Sequence, residues 1–140
     1  MPSHEPGSTA LTLPRVRVEG DSELLLDEGW SAAPSAPGAH SGPATTADLD
    51  WIAARVPGTA AAALVAAGRW RPGEPSDLDA EDWWFRTEFR AAPAAPGEEV
   101  LLRLGGIATV AEVFLNGELL LESDSMFAAH AVAVGALLRA

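Results

Sequence analysis

Between Asp82 and Arg90 the side chains alternate in character at every step. Trp83, Phe85, Thr87 and Phe89 are interleaved with Trp84, Arg86, Glu88 and Arg90. A period of two is the signature of a half-buried strand, because successive side chains leave an extended backbone on opposite faces. No helix can present that pattern as one apolar stripe. By this alternation Trp83 points to a core with Phe85 and Phe89, and Trp84 points the other way with Arg86.

The same period continues downstream. Val100, Leu102 and Leu104 alternate around Leu101 and Arg103. Thr109 to Leu115 is rich in apolar residues, and Glu118 to Glu122 follows immediately after Asn116-Gly117. Asn-Gly is a two-residue hairpin signal, since both turn positions need positive φ. Ala128 to Val134 alternates again. Short strands at this spacing predict an antiparallel sandwich. About five strands are visible, fewer than the roughly seven or eight of a closed sandwich or jelly roll. The expectation is a domain truncated at its C-terminal side.

The first half is less regular. Residues 1–22 read as a flexible lead-in, and residues 23–140 as the domain. Glu23 to Leu26 is an apolar run that could open a strand. Ser31 to Ala47, rich in Ala, Pro, Gly, Ser and Thr without periodicity, reads as a loop. Ala60 to Ala67 predicts a short helix, with Thr59 as N-cap and Gly68 in the left-handed position after its end. Arg69 to Glu81, with Pro72, Gly73 and Pro75, reads as another loop.

Composition excludes several functions. The net charge is −11 and there is no Lys, so a phosphate backbone would be repelled and nucleic acid is no partner. No run of about 18 apolar residues can span a bilayer, so no membrane is expected either. Cysteine is absent, which removes disulfides, thiolate metal sites and cysteine nucleophiles. Neither zinc spacing nor a nucleotide-binding glycine motif occurs, so no cofactor and no metal are expected. Met1 to Gly20 lacks a basic start and an apolar core, which makes cytoplasmic location the expectation.

Few side chains recommend themselves for chemistry. Two carboxyls acting together as acid and nucleophile must face each other about 5–5.5 Å apart, but neighbours such as Glu81-Asp82 and Glu98-Glu99 diverge in extended chain. Ser123 and Ser125 lack the strand–turn–helix context of an activated serine. His130 has no second His or carboxylate near it in sequence. The candidate substrate-binding residues are Trp84, whose indole can stack on a pyranose, Arg86 on the same face, and Asn116. For Trp84 the competing role is packing on a neighbouring domain; for Asn116 it is turn formation.

Four segments in order resemble family 2 glycoside hydrolases of the β-mannosidase type: Val56-Pro57-Gly58-Thr59 before a short helix, Asp82-Trp83-Trp84-Phe85-Arg86, Leu104 to Ala111, and Val113-Phe114-Leu115-Asn116-Gly117. Ser123 to Phe127 resembles the segment after the family's hairpin. Ser125 and Phe85 depart from the family's usual Asn and Tyr. The resemblance implies a mainly β fold, a galactose-binding-like jelly roll with one short helix. It further implies downstream domains of the same hydrolase as partners, with an oligosaccharide as a further ligand. The parent reaction would be retaining hydrolysis of terminal β-D-mannosyl residues by two barrel glutamates, neither of them in this chain. The expected role is thus a non-catalytic sugar-binding and scaffold module. The alternatives are a stand-alone carbohydrate-binding module and a non-functional truncation or structural partner domain.

Overall fold

The computed structural model describes residues 24–75, 78–91, 94–107, 110–125 and 127–139. The expected lead-in, 1–22, lies outside them. Two compact units are distinguished, Leu24–Arg90 and one that includes Ala91–Ala140.

In the first unit the strands are β1 (Trp30–Ser35), β2 (Ile52–Ala54) and β3 (Asp82–Arg86). They form an antiparallel sheet of order β2-β1-β3. β1 takes in Ser31 to Ser35 of the stretch expected to be a loop, and for those residues the expectation is overturned; Ala36 to Ala47 holds no strand. Ala32 and Ala33 are fully buried there. Small residues suit this place because β1 has a neighbour on each side and Trp83 and Trp84 stand opposite it on β3. Pro34 is tolerated because β2 pairs only with Trp30 to Ala32, so at Pro34 the strand has one partner, Trp83. The strand expected to open at Glu23 to Leu26 is also absent from its described part: Leu24 and Leu25 are outside any strand, and Leu25 is 75% exposed. β2 is three residues long, too short to show a period.

The helix forms as its caps dictate. α1 spans Ala60–Ala66, with the Thr59 hydroxyl accepting from the Ala62 N–H at 3.0 Å. Such a cap contributes about 1 kcal/mol. Gly68 follows at φ 72°, a left-handed conformation that ends the helix. α1 packs against β2, with Ala63 and Ile52 buried. The Val56-Pro57 bond that precedes it is cis. β3 ends at Arg86, so Thr87 to Arg90 lie beyond the ladder although their alternation continues.

The second unit contains two antiparallel pairs. β4 (Leu101–Leu104) pairs with β7 (His130–Ala133), and β5 (Ala111–Leu115) pairs with β6 (Glu118–Ser123). The β5–β6 turn is Asn116-Gly117, with φ 50° and 86°, as a two-residue hairpin of the primed kind requires. A bulge falls where Val113 pairs with Leu121 but Phe114 with Leu119. A 3-10 turn, Gly135–Leu137, follows β7. The described residues thus hold seven strands where the sequence showed five, all antiparallel, and one α-helix; the fold is mainly β. Among the described residues no helix is long and apolar enough to cross a membrane.

Candidate functional site

Cross-strand partners in an antiparallel ladder share a face. The β1–β3 register pairs Ser31 with Arg86, Ala33 with Trp84 and Ser35 with Asp82. These six residues therefore line one face, while Trp83 and Phe85 share the other with Pro34 and Ala32. The two adjacent tryptophans diverge as their alternation requires, though both remain half-buried. On its own face the Trp83 Nε1 is buried without a hydrogen-bond partner among the described residues.

The Trp84 side is polar and aromatic. Its Nε1 donates to the Ser35 hydroxyl at 3.2 Å. His40 stands edge-on to the indole, with centroids 6.2 Å apart and planes at 89°. The Arg86 guanidinium lies 3.8 Å from the centre of the Trp51 ring. A guanidinium stacked on an indole keeps its in-plane N–H groups directed outward, which suits it to oxygen-rich partners. Asp82 closes the row and accepts from the Gly38 N–H at 2.9 Å. One strand face thus offers, in order, a carboxylate, an indole and a guanidinium.

The segment between β1 and β2 is what completes this face. Gly38 is tied to Asp82, His40 lies beside Trp84, and the His40 Nδ1 is 2.7 Å from the Thr45 hydroxyl. Thr46 is buried; its hydroxyl donates to the Pro43 carbonyl, and its own carbonyl accepts from Trp51 Nε1 at 3.0 Å. These bonds fix Trp51 where Arg86 meets it. The sequence placed His40 within the Ser31 to Ala47 loop and singled out no chemical role for Trp51; the Trp84–His40 and Arg86–Trp51 contacts are seen only in the structure. Neither contact has a local signal, because each spans more than thirty residues of chain.

Trp84 and Arg86 are therefore brought together. Asn116 belongs to the second unit, where it is engaged locally: its Nδ2 donates to the Leu137 carbonyl at 2.7 Å, and its own backbone carbonyl accepts from Arg139 at 3.0 Å. His130 has a partner that sequence spacing did not suggest, the buried Ser123 hydroxyl 3.3 Å from its Nε2. That hydroxyl donates to the Ser125 carbonyl and accepts from the Ser125 N–H. With its proton on a carbonyl it is a structural bridge, not an activated nucleophile. Among the described residues no three metal-ligating side chains converge.

Comparison with known proteins adds lineage to this geometry. The family described as glycosyl hydrolase 2 galactose-binding domain-like matches residues 39–140; β1 precedes that match. A β-mannosidase B of Thermothelomyces thermophilus is 43% identical over 58 residues, which is 41% of this chain and 7% of that protein. The β-mannosidase B of Aspergillus flavus is 39% identical over 70 residues, 46% of this chain and 8% of that protein. A third, from Aspergillus terreus, is 39% identical over 57 residues, 41% of this chain and 7% of that protein. The aligned part of the chain thus spans less than a tenth of the curated relatives' length.

Proposed function

The chain belongs to the glycosyl hydrolase 2 galactose-binding-like family, and on that footing we propose that it serves as a sugar-binding and scaffold module of a β-mannosidase-like hydrolase. The parent reaction would be retaining hydrolysis of terminal β-D-mannosyl residues. That chemistry needs an acid/base carboxyl and a nucleophilic carboxyl facing each other across the anomeric carbon. The site face supplies one carboxylate among its register positions, Asp82, already bonded to the Gly38 amide. Under this proposal the two catalytic carboxyls belong to other domains of the parent hydrolase, with those domains as this module's partners.

The observation that carries the reading is the family match over residues 39–140, joined to relatives that extend far beyond the aligned segment. The test compares residues 1–140 with the full product of the source gene on an aryl β-mannoside. Turnover with retained anomeric configuration by the full product, and none by the isolated chain, supports the proposal. Turnover by purified residues 1–140 would sink it.

A second reading is favoured by the face itself. An indole, a guanidinium stacked on a second indole, and a carboxylate are the groups that hold a neutral pyranose by stacking and by hydroxyl hydrogen bonds. Under this reading Trp84 and Arg86 contact an oligosaccharide, and Asn116 enters only by shaping the hairpin. Retardation on a mannan gel, lost in Trp84→Ala and Arg86→Ala with near-ultraviolet dichroism intact, is the expected result. Equal mobility on gels with and without polysaccharide removes the sugar contact and leaves the scaffold role.

A further inference from the structure

Asn116 is the sole carboxamide side chain of the protein: no other Asn and no Gln occurs in the 140 residues. It stands at the tip of the β5–β6 hairpin, exposed, and is followed by Gly117, also exposed and at φ 86°. A Cβ built on Gly117 would meet nothing within 4 Å. We propose that Asn116 is a site of spontaneous deamidation, and that its conversion releases the contact holding the Gly135–Leu137 turn to the hairpin.

The chemistry requires only water. The Gly117 backbone nitrogen attacks the Asn116 side-chain carbonyl carbon, the bond from that carbon to Nδ2 breaks, and ammonia leaves with the proton of the Gly117 amide. The resulting five-membered imide takes up one water, opening at either carbonyl. One opening gives an aspartate in place of the asparagine; the other gives isoaspartate, with the chain running through the former side chain. Glycine favours the attack because no Cβ blocks the approach of its nitrogen.

The structure couples this reaction to the turn. Asn116 Nδ2 donates to the Leu137 carbonyl at 2.7 Å, and Arg139 donates to the Asn116 backbone carbonyl at 3.0 Å. An acid in place of the amide sets a carboxylate oxygen against the Leu137 carbonyl, two acceptors facing each other with no proton between. Isoaspartate adds a backbone atom to a two-residue turn whose φ values, 50° and 86°, have no room for one. The Leu137 amide, which donates to the Val134 carbonyl at 2.9 Å, closes the released turn and reports its opening.

The same two bonds restrain the reaction in the folded chain. The attack needs the tip to open, and two hydrogen bonds of ordinary net strength slow it by about ten- to a hundredfold relative to the unfolded chain. The experiment incubates residues 1–140 at mildly alkaline pH, folded and in urea, and follows intact mass. With one carboxamide present, any amide-to-acid gain in mass belongs to Asn116. Expected are conversion in both states, slower when folded, and abolition in Asn116→Gly, which keeps a turn-competent residue. Hydrogen exchange of the Leu137 amide should rise on conversion and rise alike in Asn116→Asp. A folded chain that never converts while the urea sample does, or Leu137 exchange unchanged in both the converted chain and Asn116→Asp, overturns the proposal.

Discussion

Replacing Ala33 with Leu tests the least anticipated element of the fold. Ala33 is fully buried on β1, directly opposite Trp84 on β3. Continuing the β1–β2 register one residue past Ile52 sets Trp51 on its other side. Three added carbons would gain about 0.8 kcal/mol each if they found room. With an indole on either side and no exposure at the site, they must displace Trp51 or Trp84. Overpacking of this kind costs about 1–3 kcal/mol. Moving Trp84 also lengthens its 3.2 Å bond to Ser35, at a further cost of about 0.5–1.5 kcal/mol if it is lost. Urea unfolding followed by tryptophan fluorescence should show a lower midpoint at unchanged slope. In a thermal scan the loss corresponds to about 3–4 °C per kcal/mol for a chain of this size. The control is Ala53→Leu on β2, an exposed position, expected within about 0.5 kcal/mol of the parent. If Ala33→Leu also falls within that margin, the segment behaves as the loop its composition suggested, and the idea of a sealed central strand fails.

Two further substitutions address the approach to α1. Thr59→Ala removes the hydroxyl that accepts from the Ala62 N–H, and urea titration should show a loss of about 1 kcal/mol; an unchanged midpoint would mean the helix start is held by other contacts. Gly58→Ala sets a Cβ against the Arg55 carbonyl, a backbone group that cannot swing aside. It should cost about 1–3 kcal/mol by the same titration, whereas free accommodation would show that the Arg55–Thr59 segment is loose.

The elements legible in the chain alone are those whose signals are local. A period of two marked β3, β4 and β7, Asn116-Gly117 with its apolar flanks marked the β5–β6 hairpin, and Thr59 with Gly68 marked both ends of α1. Each follows from the stereochemistry of a few consecutive residues, and so could be read without knowing what lay around them. Trp84 and Arg86 were likewise placed on one face by alternation alone. The rest emerged only from how the strands pair. The Ser-Ala-Ala-Pro-Ser stretch after Trp30 has no apolar period, because a strand between two neighbours and opposite large indoles is selected for small volume, and small residues carry no strand signal of their own. The site was incomplete in the sequence for a related reason. Trp51 and His40 reach Arg86 and Trp84 across more than thirty residues, so their roles exist only once β1, β2 and β3 have paired.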